Sequence, residues 1–482
     1  QRRPLTVPEV FTYSSNIASA KMAADVMGPE AQRAFFDKIG YGFGDFASNF
    51  FWQMFAIYIA KYYTDVFMLG AAAMGTMMLV TRSADAVIDP LIGIVADRTR
   101  TRFGRFRPYL LWMAAPLALS AVATFTVPDL TGSAKIGYAY LTLTLLMFCY
   151  SAINIPYSAL FGVLTADSAE RSTVSAYRFV FGFLPIFILV NATDPMVRYF
   201  GGSSIAPRGW QAAMIVYSII AVVFFVLTFL LTRERVKPVA DHHQNLKEDL
   251  RDLRGNRPWL VLSLVGVAAL TCGNMRSAVM LYYFDYVVPN GHGAFATAMT
   301  IGALAFLVGV AISAPLVHRF GKKRFYLWST LTTAVLLVAF YFVPVGNIPA
   351  IWALHGLISL SIAPTAPIIW SMYADTADYS EWKTQRRATG LVFSAASFSQ
   401  KVGWALGGAG TGWLLAYFGY QPNVAQAAGT LHGIVLMMSL IPAGIAVLAA
   451  VALRYYTLDE AAVARMAVDL APRRAAAASE GA

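Results

Sequence analysis

Apolar residues fall along this chain in about twelve long stretches, separated by short polar or basic segments. A helix rises ~1.5 Å per residue, so ~20 such residues cross the ~30 Å hydrocarbon core of a bilayer. The pattern predicts spans at 41–67, 71–96, 109–128, 135–164, 174–199, 209–232, 259–288, 294–316, 325–344, 349–374, 388–418 and 428–455. Segments alternating in polarity at period two are absent. Every spanning backbone must satisfy its own hydrogen bonds, so the chain is expected to be an all-α polytopic membrane protein.

The interruptions sort by charge. Those after spans 2, 6, 8 and 10 hold Arg98, Arg100, Arg102, Arg105 and Arg107, then Arg233, Arg235, Lys237 and Lys247, then Arg319, Lys322, Lys323 and Arg324, then Lys383, Arg386 and Arg387. Those after spans 1, 9 and 11 carry almost no charge, and those after 3, 5 and 7 little. By the positive-inside rule the even-numbered loops and both termini are cytoplasmic, as in a bacterial-type inner membrane. The longest charged interruption divides the chain into an extension (1–36), a six-helix bundle (37–233), a linker (234–257), a second six-helix bundle (258–457) and a tail (458–482). An internal repeat agrees with this division: Arg102-Phe103-Gly104-Arg105-Phe106-Arg107-Pro108-Tyr109-Leu110 matches Arg319-Phe320-Gly321-Lys322-Lys323-Arg324-Phe325-Tyr326-Leu327 at seven of nine places, with Arg and Lys equated. Each copy joins the second and third spans of its half, which indicates a duplicated transporter fold.

Composition removes other classes. Of 482 residues 58% are hydrophobic and 13% charged, about half the charged fraction usual in soluble domains. The net charge of +11 sits in particular loops, so it reports topology and implies no nucleic-acid partner. Cys149 and Cys272 both lie inside spans, which leaves no disulfide framework and no metal-ligand spacing; neither a metal nor a cofactor is expected. The first 34 or so residues hold no compact apolar run like that of a cleavable signal peptide, so span 1 is expected to act as its own insertion signal. The segment from Pro8 to Asp37 fits a short amphipathic helix, and the alanine-rich tail after Ala471 reads as disordered.

Candidate chemistry concentrates in span 2, within Arg82-Ser83-Ala84-Asp85-Ala86-Val87-Ile88-Asp89-Pro90. At ~100° per residue, Arg82, Asp85 and Asp89 share one helix face. A charge in hydrocarbon costs roughly 2.5–3.5 kcal/mol even on lenient scales, so this row should face a wet or paired interior and line an ion pathway. A salt-bridge staple between helices is the plainer alternative, but Arg82 neutralises only one carboxylate, and the other needs a further cation. On span 4, Tyr150, Asn154, Tyr157 and Ser158 form an aromatic and amide stripe suited to a sugar, whose C–H face stacks on rings while its hydroxyls bond amides; ordinary helix packing would also use the tyrosines. Lys61 and Asp65 read as a structural pair at the outer surface, and Arg276 as snorkelling or pairing with Asp285. Gly403, Gly407, Gly408 and Gly412 on span 11 supply small-xxx-small patterns for close helix approach. The glycines at 40, 42 and 44 lack the context of a nucleotide loop, so transport would be secondary.

Within residues 97–105, the run containing Asp97, Arg98, Gly104 and Arg105 resembles the loop 2–3 signature of the major facilitator superfamily, which implies twelve transmembrane helices in two pseudo-symmetric halves and a cytoplasmic latch between them. A narrower resemblance runs from Lys38 onward. Lys38-Ile39-Gly40-Tyr41-Gly42-Phe43-Gly44-Asp45 with Asn49, Tyr63-Thr64-Asp65-Val66, Asp85-Ala86-Val87-Ile88-Asp89-Pro90, Asn154-Ile155-Pro156-Tyr157 and Ala374-Asp375-Thr376-Ala377-Asp378-Tyr379-Ser380-Glu381 are similar to the glycoside-pentoside-hexuronide:cation symporters, and closer to glucuronide and xyloside members than to melibiose permease. The resemblance implies alternating access, with a cation on Asp85 and Asp89 and a sugar between the halves at the matching positions Asn49, Asn154, Arg178, Trp370 and Lys401; Asp45, which is absent from the melibiose pattern, Tyr150, Tyr157, Ser158 and Ser397 are further candidates to hold the sugar. Where relatives carry a sodium-ligating asparagine this chain has Ile88, so the coupling ion is expected to be H⁺ rather than Na⁺: sodium needs about five or six oxygens, a proton one buried carboxylate. With Asn49 and Asn154 in place of acids, Arg178 and Lys401 would leave the cavity positive and favour an anionic sugar; Asp45, pairing with Lys401 or Arg178, would remove that excess. A monomer in contact with membrane lipid is expected. The rivals are a lipid or lysolipid carrier on the same fold, which would want few hydroxyl partners, and a prenyltransferase-type enzyme, which would need a second acidic cluster in the other half.

Overall fold

The computed structural model describes residues 16–165, 168–235, 253–289, 291–384 and 389–480, and the described residues are helical apart from turns, connections and one isolated bridge, Thr101 to Gly104. The expectations placed on Lys237, Lys247, Arg386, Arg387 and most of the linker lie outside the described residues.

Helix α1 begins at Asn16 and runs as Asn16–Gln53, then through π turns Met54–Tyr58 and Tyr62–Val66 around Ile59–Lys61. There follow α2 (Ala71–Arg98), α3 (Arg107–Trp112 and Ala114–Thr124), α4 (Gly132–Leu164), α5 (Ser168–Gly201) and α6 (Pro207–Leu231). The second half repeats the series with α7 (Arg257–Tyr282, ending in the π turn Tyr283–Val287), α8 (His292–Phe320), α9 (Lys322–Tyr341), α10 (Ile348–Ile362 and Thr365–Thr384), α11 (Thr389–Tyr417) and α12 (Ala428–Met438 and Leu440–Arg454). A last helix, α13, is Glu460–Glu480. The tail after Ala471 is therefore helical, contrary to the expectation of disorder, because alanine is the strongest helix former. The extension likewise is no separate element: from Asn16 its helix enters the first crossing without a break.

Among the described residues, eight helices are long and apolar enough to cross a membrane by length and composition alone. Of the twelve expected crossings, the four outside that set are α1, α2, α3 and α11. Three of these, α1, α2 and α11, carry Asp45, Lys61, Asp65, Arg82, Asp85, Asp89 and Lys401, and α3 is interrupted at Met113.

The two halves are built alike. In the first, α1 packs on α5 and α6, α2 on α4, and α3 on α4 and α6; in the second, α7 packs on α11 and α12, α8 on α10, and α9 on α10 and α12. The halves meet where α2 lies along α11 and, in the symmetry-related position, where α5 lies along α8. Glycines set the first contact. A methyl group at Gly412 would lie 2.5 Å from the Ala71 carbonyl oxygen, and one at Gly75 would lie 2.7 Å from that of Ala409. Gly403 and Gly407, on the other side of α11, meet Val267 and Thr271 of α7 in the same way. Helix α11 is thus clamped between the halves, with glycine toward each neighbour.

The repeated loop is repeated in three dimensions. Gly104 has φ of 110° and Gly321 has φ of 82°, both in the region that favours glycine. On each glycine sits the carboxylate of a glutamate that follows the last helix of the same half, Glu234 after α6 and Glu460 after α12. Glu234 accepts the backbone N–H groups of Arg105 (2.9 Å), Phe106 (2.7 Å) and Arg107 (3.1 Å), the unpaired donors at the start of α3. The contact of Gly104 and Arg105 with Glu234 is therefore made within one half.

Candidate functional site

Helix α2 delivers its charge row to the seam between the halves. Asp85 and Asp89, four residues apart, face Lys401 of α11, whose ammonium lies 2.9 Å from Asp85 and also pairs with Asp89. Ser151 of α4 donates to the other Asp85 oxygen at 2.7 Å. Arg82 lies 3.7 Å from Asp85 and stacks over Phe55 and Trp52, its guanidinium carbon 4.0 and 4.9 Å from their centroids. The further cation that the second carboxylate requires is Lys401. It had been assigned to the sugar; the close contact of α2 with α11 brings it onto the carboxylates instead. The two acids are not equivalent: the Asp85 side chain is 4% exposed and that of Asp89 24%, and Asp89 keeps one buried oxygen with no hydrogen-bond partner among the described residues. Arg82 and Lys401 together balance the two carboxylates, so a small cation of one positive charge can take the place of the Lys401 ammonium without changing the charge of the group.

Beside this cluster Arg178 of α5 pairs with Asp45 of α1, not with Lys401's carboxylates, and lies 6.0 and 5.8 Å above the rings of Tyr41 and Tyr157. Arg82, Arg178 and Lys401 thus face Asp45, Asp85 and Asp89, three charges against three. The positive excess expected from Arg178 and Lys401 is absent from this group. Asn49 donates to the Asp45 carbonyl at 2.9 Å, one turn back, which leaves its amide oxygen for a ligand. Asn154 lies 3.4 Å from the Tyr150 hydroxyl, and both are half-buried. Tyr157 departs from its expected role: it is fully buried, stacked 4.5 Å from Tyr41, and donates to the Tyr41 carbonyl at 2.6 Å. Gly44 makes this possible, since a methyl there would meet the Tyr157 ring at 2.2 Å. Ser158 and Ser397 are exposed, the latter bonded to the Phe393 carbonyl at 3.0 Å. Trp370 stands parallel to Phe393, 38% exposed.

Sequence reasoning missed Trp52 and Trp404. They meet edge to face at 4.8 Å across the seam, and Trp52 also stacks on Tyr150 at 5.8 Å, so one aromatic wall joins the halves beside the carboxylates. The signal was helical spacing: Trp52 follows Asn49 and Trp404 follows Lys401 by three residues. Ser151 was missed because a serine in an apolar helix carries no pattern of its own.

Lys61 and Asp65 form the expected helical pair, but it is buried and shared with the other half. Lys61 is buried between Asp65 (2.7 Å) and Asp285 of α7 (2.8 Å), and Asp65 also accepts from the hydroxyls of Tyr286 (2.7 Å) and Tyr420 (2.5 Å). Asp285 is therefore taken by Lys61, and Arg276 bonds the Met438 carbonyl at 3.2 Å. Tyr62-Tyr63-Thr64-Asp65 and Tyr282-Tyr283-Phe284-Asp285 occupy matching places at the ends of α1 and α7, each next to or within a π turn. One lysine thus sits between two symmetry-related aspartates, at the end of the bundle opposite the basic loops. Of the loop residues, Asp97 and Arg98 are exposed at the basic end.

Residues 40–460 match the family described as MFS/sugar transport protein. The chain is 36% identical over 426 residues to the inner membrane symporter YicJ of Escherichia coli (strain K12), covering 88% of this chain and 92% of that one. It is 35% identical to the isoprimeverose transporter of Lactiplantibacillus pentosus (88% and 89% covered) and 33% identical to the glucuronide carrier protein homolog of Escherichia coli (90% and 95% covered). A mutant of the nucleoside transporter NupG superposes with a TM-score of 0.67 at 13% identity, over 88% of this chain and all of that one, a likeness of fold alone.

Proposed function

Because this chain belongs to the MFS/sugar transport protein family and is a transporter rather than an enzyme, we propose that it imports a sugar or glycoside by symport with a cation. The observation that carries the reading is the convergence of Asp85 and Asp89 of one half on Lys401 of the other. A cation captured by the carboxylates releases Lys401, and with it the α2–α11 contact, so ion binding and the relation of the halves share one equilibrium. The sugar would lie against Trp52, Trp404 and Tyr150, with Asn49, Asn154 and the Asp45–Arg178 pair addressing its hydroxyls. The relatives' names, a glucuronide carrier and an isoprimeverose transporter among them, support a glycoside of this kind.

We favour a proton over sodium. Asp85, Asp89 and Ser151 supply few oxygens, Ile88 adds none, and sodium asks for about five or six. No cofactor is required. The basic loops support an inner-membrane protein with both termini cytoplasmic, working as a monomer in contact with lipid. The lipid-carrier alternative loses ground to the polar groups along α1, α2, α4 and α5.

Counterflow in proteoliposomes with a panel of glycosides, pentosides and hexuronides, with and without sodium and at two pH values, tests this. At least one sugar is expected to exchange, and its accumulation to follow an inward proton gradient with sodium without effect. Sodium dependence at fixed pH would overturn the proton assignment; no exchange of any sugar would overturn the function.

A further inference from the structure

A cavity of about 330 Å³ lies between α5 of the first half and α7, α8, α9 and α10 of the second, apart from the carboxylate cluster. Gly273, Arg276, Ser277 and Met280 of α7 face it, whereas Asn274 and Ala278 line a small space on the side of Arg82 and Trp404. Its wall is largely apolar, with Arg276, His355, Ser277, Ser359 and Thr333 among the polar exceptions.

Arg276 forms no ion pair with a carboxylate among the described residues, and Asp285, the candidate nearest in sequence, is held by Lys61. Its Nε donates to the carbonyl of Met438, where α12 is interrupted at Ser439. Its Nη2 is buried with no hydrogen-bond partner among the described residues, and so is Nδ1 of His355, a side chain only 9% exposed. The end of the first α12 segment offers about half a negative charge, which offsets part of a guanidinium and leaves the rest. A buried charge without a partner costs several kcal/mol, so a membrane helix retains one where something of opposite sign arrives.

We propose that this cavity is an anion subsite, in which Arg276 is the counter-ion of one negative charge and His355, Ser277 and Ser359 complete its polar shell. The inference holds whether or not Asp85 and Asp89 couple a cation. The volume admits an acid group carried on a sugar as well as a free inorganic ion.

The test uses the purified full chain, its thermal unfolding midpoint followed during titration with sodium chloride or sodium glucuronate, and with Arg276→Met titrated in parallel as the reference for ionic strength. The natural protein is expected to show a saturable rise with glucuronate or with chloride, beyond that of the variant in the same salt. In Arg276→Met the titration should shift to at least ~10-fold higher concentration, a decade for each ~1.4 kcal/mol lost, with Arg276→Lys between the two. Saturation by glucuronate alone identifies the acid group of a sugar as the ligand; saturation by chloride identifies a free ion. If Arg276 serves only to cap the broken α12, Arg276→Met lowers the starting midpoint and leaves the anion-dependent rise unchanged, which would overturn the proposal, as would a natural protein whose midpoint saturates with neither salt. Ala303→Met, which narrows the cavity and leaves the Arg276 bond to Met438 in place, should weaken the titration too and decides the matter if Arg276→Met does not fold. Since no transport is measured, failure of the sugar reading would leave this result intact.

Discussion

Lys401 stands in the place that a cation taken up by Asp85 and Asp89 must occupy, so these three side chains should be separable by function. In Asp89→Asn the exposed member of the pair can no longer carry a proton, while the aromatic wall is untouched. Uphill accumulation should be lost and some exchange retained, measured as gradient-driven uptake against counterflow in the same vesicles; full accumulation would refute the role. In Lys401→Met, Asp85 keeps Ser151 and Arg82 but loses its ammonium. Breaking a buried pair from one side costs ~3–5 kcal/mol, so the unfolding midpoint should fall, and it should fall less in the double variant Lys401→Met/Asp89→Asn, which leaves Asp85 with Arg82.

At the level of helices, the seam depends on how closely α2 and α11 approach. Gly412→Ala places a methyl against the Ala71 carbonyl and should cost ~1–3 kcal/mol, read as a lower midpoint. Gly93→Ala, on the same α2 but with nothing within 4 Å of the added carbon, should be neutral or gain up to ~1 kcal/mol from helix propensity. Equal effects of the two substitutions would show that α2 and α11 are not in the contact described.

Across the whole molecule, the apolar core is continuous between the halves at the end bearing Tyr62, Tyr282, Phe284 and Phe295, while the opposite part of the second half, around Trp259, Tyr326 and Tyr373, forms a core of its own. The Lys61 triad lies in the joined region, and removing its one positive charge leaves Asp65 and Asp285 buried side by side. Lys61→Met should therefore drive the ends of α1 and α7 apart. A cysteine introduced at Phe295, buried in this state, should react with a membrane-impermeant thiol reagent several-fold faster in the Lys61→Met background. Cys149 and Cys272, both buried, give little background. An unchanged rate would exclude the triad as a latch.

Much of the fold could be read from the residues alone. Runs of apolar residues fixed the crossings, because a bilayer accepts only segments that satisfy their own backbone; the shared Phe-Gly and Tyr-Leu of two basic loops disclosed the duplication; and a face bearing Arg82, Asp85 and Asp89 could not point at lipid. Which charge answers which could not be read in this way. Lys401 is 312 residues from Asp89, and Asp45 could have paired with either Lys401 or Arg178. The choice turned on the rotation of α11 against α2, set by glycines that carry no charge at all. The same holds for Lys61, which in sequence has one helical neighbour, Asp65, and in the folded chain gains a second aspartate from the other half. Local patterns determine which segments enter the membrane and which faces are polar; the partners of those faces depend on distances between helices, and only the packed molecule has those.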